Sequence, residues 1–421
     1  MNNPKKYFQF IFRSDEGKDF RNNVVRTFFI IFPLFIFNFF IFSTIADLDN
    51  YLIHSALSKI LVFNGISPYS QNISLILENY FSTRDIVVQT TAVVYQLPIY
   101  HLFLYLPFSF IQDPKLAFSI WETINQLLYA FCILKLANIF GWNLNLRKKV
   151  FLIGAGLASY FTFLNIFSAN TAILQLFFLI AGIKEHKFGR HIGSGFLLGL
   201  STVDPFNFFL PLAILFLFML RNEQFGSVIW TSIAIILYSL IGIIFDSTWF
   251  LKMIKNIFLD GSFYPLMSYG QAVKFWKPDM ILGELVNVIP IIITIWLTLE
   301  FARIPKNSFE NLFWILSLTI CLNPIFIMRN STYASILFTI PIVFVLFLWE
   351  KHSSGYLNKG IYLLLLLISV IYPLIHIYIG GLSWSKLNYF SNNLIVSLFL
   401  IFVIYWVRWW VVKPYDVSID N

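Results

Sequence analysis

Long apolar runs alternate with short polar stretches along nearly the whole chain. Runs at 27–46, 115–139, 149–166, 169–183, 192–203, 206–220, 227–246, 281–300, 311–328, 333–349, 360–379 and 392–412 each cross about 30 Å of hydrocarbon, alone or paired. The pattern predicts an all-α, polytopic transmembrane bundle of about 12 spans. The run at 27–46 is too long for the apolar region of a signal peptide, and it is read as an uncleaved first span. A further segment, 93–111, carries Tyr95, Gln96, Pro98, Tyr100, His101, Tyr105 and Pro107, a composition typical of a membrane interface.

Charge settles how that segment is read. If 93–111 does not cross, twenty of the 29 Lys and Arg residues share the side of the N-terminus. They include Lys135, the Arg147–Lys149 run, Lys184, Lys187, Arg190, Arg221, Arg303, Lys351 and Arg408. If it crosses, Arg147–Lys149 and the 184–190 cluster move to the other side. The positive-inside rule therefore predicts cytoplasmic termini and an interfacial or re-entrant helix at 93–111. Two outer loops, 47–114 and 247–280, are then large. In the second, Trp249, Phe250, Met253, Ile254, Ile257 and Phe258 follow a helical period, which predicts an amphipathic surface helix.

Composition agrees: 58% apolar, 12% charged and 19% aromatic residues leave no room for a sizeable soluble domain. The chain reads as one integral-membrane domain over 1–421, with a core at 27–350 and C-terminal helices at 351–421. The net charge of +8 belongs to loop asymmetry and is not a nucleic-acid signal. Cys132 and Cys321 sit in apolar runs and read as packing residues. No zinc spacing, phosphate loop, nucleophile elbow or dinucleotide fingerprint is present.

The candidate chemistry begins where the first run ends. Asp47 and Asp49 stand at the bilayer boundary, where a carboxylate is costly and is a functional candidate by default. Either can act as a general base, since partial desolvation raises a carboxylate pKa. The competing reading is a helix cap plus a first-turn acid before a helix at 50–63. Asp49 is also placed to orient Asp47 or to hold a divalent metal with it. Asp204, before Pro205, reads equally as a cap or a contact, and Glu122, inside span 115–139, as half of a structural pair.

Asp-Leu-x-x-Tyr (Asp47–Tyr51), then Gly-x-x-Pro-Tyr (Gly65–Tyr69), then Tyr95-Gln96-Leu97-Pro98 resembles the GT-C glycosyltransferases over roughly residues 25–350. The pattern is most similar to the family 87 polyprenyl-phosphate-mannose-dependent mannosyltransferases, with the mannosyltransferases of GPI-anchor assembly more distant. It implies a GT-C bundle with interfacial helices in its first outer loop. The implied partners are a polyprenyl-phosphate sugar donor, with mannose expected, and a hydroxyl acceptor on a glycan, glycolipid or protein. The catalytic carboxylate falls on Asp47. The donor phosphate then needs cations on the outer side, and Arg329, Lys274, Lys277 and Arg84 are the candidates. His54, Tyr51 and His101 are candidates for acceptor binding. Three positions depart from the family's pattern: Ala169 stands where a glycine precedes Asn170, Asp204 where a lysine is common, and Arg329-Asn330 where a paired histidine is expected. A transporter or flippase of lipid-linked saccharides, and a non-catalytic scaffold of the same fold, are the rival classes.

Overall fold

The computed structural model describes residues 30–45, 48–84, 86, 88, 90, 93–259, 289–305, 308–326, 332–352, 360, 362–363, 371 and 386–412. Most of them are helical, and no strand occurs among them. Apolar helix α1 (Ile30–Ile41) loosens into a π-helical stretch at Asn38–Phe42. Helices α2 (Asp49–Asn64) and α3 (Ile73–Ser82) follow, then α4 (Pro114–Phe140), α5 (Leu146–Leu157), α6 (Tyr160–Phe167) and α7 (Ala172–Lys187). Next come α8 (His191–Leu200), α9 (Pro205–Arg221), α10 (Phe225–Phe245) and α11 (Trp249–Leu259). The chain ends with α12 (Ile289–Arg303), α13 (Phe309–Phe326), α14 (Thr339–His352) and α15 (Lys386–Val412).

Among the described residues, three helical segments are long and apolar enough to cross a membrane: α4, α10 and Ala334–Lys351. Helices α5 and α6, bent by 55° where they meet, add a fourth if taken as one span. Several of the remaining apolar runs fold as shorter helices. Helix α8 has 10 residues and reaches only about 15 Å. It ends in a 3-10 turn, Ser201–Val203, and the chain breaks at Asp204, which is extended (φ −126°, ψ 91°). Asp204 holds the N-cap position before Pro205, but its side chain makes no capping bond. The cap half of that reading therefore holds in position and not in hydrogen bonding.

Side-chain bonds sort the helix ends into two sets. Lys187 Nζ reaches the Ile139 carbonyl at 2.6 Å, Arg221 the Phe301 carbonyl at 2.5 Å, and Lys148 the Glu350 carboxylate at 2.5 Å. Lys351 pairs with Glu310, while Arg303 and Arg408 share Glu300. These links gather one end of α4, α5, α7, α9, α12, α13, α14 and α15 into a basic end. Opposite it, Asn50 binds the Ser168 carbonyl, His101 meets Thr171, and Tyr100 meets Thr202. Lys148, Lys187, Arg221, Arg303, Lys351 and Arg408, which loop charge places on one side, thus lie at one end of the described helices.

Helix α8 lies against α7 and α10 at short range because Gly195 and Gly199 stand four apart on its buried face. A Cβ on Gly195 would fall 2.3 Å from the Trp230 Cβ, and one on Gly199 would fall 2.8 Å from the Ala234 Cβ. Small residues at this spacing let membrane helices approach closely. Both cysteines are buried and free.

Two predicted elements need correction. Segment 93–111 is no single helix. It runs extended into a 3-10 turn, Ile99–Leu104, and one helical turn, Leu106–Ser109. Pro98 and Pro107 each remove a backbone donor, which limits regular helix between them. Ile99, Tyr100, His101 and Leu102 are buried, while Pro107 and Phe110 are exposed, so the first half of the segment packs inward and the second half reaches the surface. Helix α11 forms as expected, but its inward residues are Trp249 and Met253, while Phe250 and Leu251 are exposed.

Candidate functional site at the end opposite the basic residues

Helix α2 begins at Asp49, a first-turn acid as the capping reading requires, and its N-cap position is Leu48. Gly65 closes it in the left-handed region (φ 65°), where a side chain would be strained. One face of α2 carries Tyr51, His54, Leu57, Ser58 and Leu61, all buried. The Gly65–Tyr69 stretch then folds back. Ser67 hydroxyl donates to the Asp246 carboxylate, which also binds Lys252 Nζ at 2.8 Å. Tyr69 hydroxyl donates to the Leu97 carbonyl at 2.5 Å. Asn256 of α11 donates to the Tyr95 carbonyl at 3.0 Å, and Gln96 donates back to the Asn256 carbonyl at 3.3 Å. Helices α2, α3 and α11 and the 93–104 segment therefore form one cap with its own apolar core.

Under the cap lies an aromatic and histidine cluster. His54 and His101 rings are 5.1 Å apart, and His54 stacks on Tyr105 at 5.1 Å. Tyr105 stacks in turn on Trp121 of α4 at 4.5 Å. His54 Nδ1 is 2.8 Å from the Asn50 carbonyl, so Nδ1 carries the hydrogen. His101 Nδ1 meets the Tyr95 hydroxyl at 3.0 Å and its Nε2 meets Thr171 Oγ1 at 3.1 Å. Burial lowers the His54 pKa to about 4, against a weaker opposing effect of the Asn50 carbonyl. Burial also holds His101 well below the ordinary imidazole range, and His54 adds to it. Both rings are neutral at pH 7, and His101 joins two hydroxyls that can pass a proton through it.

Tyr51 packs against Trp121 and Phe118, and its hydroxyl is buried without a hydrogen-bond partner among the described residues. Burial pushes its phenol up, and the nearby Glu122 carboxyl adds to that. Glu122 is fully buried within α4, and neither carboxyl oxygen has a hydrogen-bond partner among the described residues. Its polar neighbours are Asn125 on the same helix and Tyr51. Nearby on the same helix, Thr123 and Gln126 bind Asn38 of the π-helical stretch at 3.0 and 3.1 Å. A polar, buried face thus runs along α4 from Ser119 to Tyr129.

The three acceptor candidates, Tyr51, His54 and His101, are brought together, but each is 1–2% exposed and packed by rings. Asp49 is half-buried at the head of α2. Arg84 is separate from this cluster in role: it is exposed at the end of α3, folded over the Tyr80 ring at 3.7 Å. Asp47, Lys274, Lys277 and Arg329 lie outside the described residues. Among the described residues no three His, Cys, Asp or Glu side chains gather as a metal site. Sequence reasoning missed Tyr95, Tyr105, Trp121 and Thr171 as partners and Asp246–Ser67 as the cap's clasp. Only the aromatic density of 93–111 signalled any of them.

No family model matches the chain, and no curated protein or solved structure matches it. What the fold itself defines is a helical protein with apolar helices suited to a lipid bilayer.

Proposed function

We propose that this chain is a membrane glycosyltransferase of GT-C type with about 12 spans, both termini in the cytoplasm and the reaction on the opposite face. It moves a sugar, mannose by preference, from a polyprenyl phosphate to a hydroxyl acceptor. The observation that carries the reading is the cap: helix α2, which Asp49 and Tyr51 open, packs with Gly65–Tyr69 and Tyr95–Pro98 around one apolar core, at the end opposite the Lys148, Lys187 and Arg221 links. In the reaction the Asp47 carboxylate takes the acceptor O–H proton. The acceptor oxygen bonds to the anomeric carbon as the bond from that carbon to the phosphate oxygen breaks. Polyprenyl phosphate leaves as the anion, and the configuration inverts. Arg329, Lys274, Lys277 and Arg84 are the cations available to the departing phosphate.

Glu122 is the observation that favours transport instead, because a buried acid inside a span marks many substrate or proton paths. One experiment separates the two. Membranes are supplied with polyprenyl-phosphate mannose and a hydroxyl acceptor, and transfer is read for wild type, Asp47→Asn and Asp49→Asn. The transferase reading expects Asp47→Asn to lose roughly a hundredfold to ten-thousandfold with donor binding kept. Loss confined to Asp49→Asn moves the base by two residues. Transfer unchanged in both single variants and in the double removes the catalytic reading.

A further inference from the structure

A cavity of about 60 Å³ lies between α4, α5, α6 and α14, reaching from Thr339 and Phe161 to Phe151 and Tyr362 on the side of the Lys148–Glu350 pair. That is room for several water-sized spheres, but the walls are largely apolar and do not favour water. Ile133, Leu152, Ala155, Ile342 and Val343 supply much of the lining. Its mouth is marked by Phe151, 47% exposed, whose ring meets Tyr362 at 6.0 Å. Ala155, half-buried and carrying one methyl, leaves the space a larger side chain would fill.

The charge at the mouth is one-sided. Tyr362, a wall residue, donates to Glu350 at 2.9 Å, and Lys148 neutralises that carboxylate at 2.5 Å. Arg147 and Lys149 flank Lys148, both exposed, within one helical turn of Phe151. An apolar slot under cations that pair with no acid among the described residues matches a lipid with a hydrocarbon chain and a negative headgroup. Basic pockets between helices at the cytoplasmic side of membrane proteins hold such headgroups.

We propose that this cavity takes a stretch of one acyl chain of an anionic phospholipid from the leaflet at the basic end, with Arg147 and Lys149 on its phosphate. The site is independent of the transferase chemistry, since the cap lies at the other end of the bundle.

The full chain, purified in detergent, is titrated with phosphatidylglycerol or with phosphatidylcholine of the same acyl chains. Thermal stability and lipid retention by native mass spectrometry are read. Phosphatidylglycerol is expected to stabilise more than phosphatidylcholine, and the difference to shrink at high salt. Arg147→Gln with Lys149→Gln is expected to weaken phosphatidylglycerol by roughly tenfold or more, leaving phosphatidylcholine unchanged. Ala155→Phe is expected to reduce retention of both. Because that variant puts folding at risk, a phosphatidylglycerol with a photoreactive acyl chain is also used on wild type, and is expected to label peptides containing Phe151 or Ile342. Equal stabilisation by the two lipids overturns the proposal. So does labelling spread evenly over the bundle, or displacement of phosphatidylglycerol from this slot by polyprenyl phosphate at lower concentration.

Discussion

His54 and His101 lie ring against ring at 5.1 Å, on two elements joined only through the long cap, and both are buried. Their neutrality is a condition of the packing. Above pH about 6.5 the imidazoles are neutral whether the chain is folded or not, so the pair has no pH-linked effect. Below that pH the unfolded chain binds protons that the folded one refuses. Stability is therefore lost as pH falls from about 6.5, and for His54 the loss levels off near 4, where the folded ring itself protonates. The expected slope is about 1.4 kcal/mol per pH unit for each histidine. Melting in detergent at pH 7.5, 6 and 5 checks it. His186, also lowered chiefly by burial, adds in the same direction, so His54→Leu should remove only part of the slope. A flat melting temperature between pH 7 and 5 contradicts the account.

The clasp of Ser67 and Lys252 on Asp246 should hold the cap to the end of α10. Burial raises the Asp246 carboxyl, but donors from Lys252, Ser67 and Thr248 outweigh it and leave it below the ordinary carboxylate range. Its contribution is present above the unfolded pKa of about 3.9 and is lost as pH falls through the lower folded value. Asp246→Asn is expected to cost about 1–3 kcal/mol, and Ser67→Ala less. Limited proteolysis should cut the cap faster in Asp246→Asn at neutral pH. Equal cutting rates would show that the cap's apolar core alone holds it.

Much of this fold was legible because apolar runs and loop charges are collective signals. A count of twenty cations by side survives the loss of any one reading, and Lys148, Lys187 and Arg221 of that set make cross-helix bonds at one end of the bundle. Helix α2 was legible for the same reason, within one residue at each end. The site was not. Tyr95 reaches His101 through a proline-bounded 3-10 turn, and Thr171 reaches it from a separate helix start. No period in a sequence encodes either meeting. Glu122 read as half of a pair because a buried charge normally needs one; the neighbours that the fold gives it, Asn125 and Tyr51, are polar but uncharged groups that no charge pattern signals.

Ala169 gives a test of backbone strain. It adopts φ 49°, in the left-handed region, fully buried, with Tyr105 donating to its carbonyl at 3.2 Å. That region favours glycine. Ala169→Gly is expected to be neutral or to stabilise by up to about 1 kcal/mol, and Ala169→Val to destabilise strongly, since a β-branched residue is an outlier there. Melting temperatures of the two variants decide it; a Val variant as stable as wild type would mean the backbone relaxes freely.

Close packing of α8 on α10 gives a paired test. Gly195→Ala places a Cβ against Trp230 and the Thr231 backbone, so the helices must separate, at an expected cost of about 1–3 kcal/mol. Gly154→Ala, where a Cβ meets nothing within 4 Å, should change stability little. If both variants melt alike, the approach at Gly195 does not hold the bundle together.

The two-ended arrangement can be read directly in intact cells. Gln71 and Gln112 are exposed on the cap side, and Asn143 is exposed beside the basic residues. The endogenous thiols are buried at 1% and 0%, so Cys132→Ala with Cys321→Ala gives a silent background at modest packing cost. Single cysteines at 71 and 112 should both react with an impermeant thiol reagent from outside. A cysteine at 143 should react only after permeabilisation, because the positive-inside rule puts the basic end in the cytoplasm. Labelling at 71 from outside but at 112 only after permeabilisation would make the 93–111 segment cross the membrane, despite its 3-10 turn. Labelling at 143 alone would invert the protein, put the cap in the cytoplasm, and exclude a lipid-linked donor presented on the outer face.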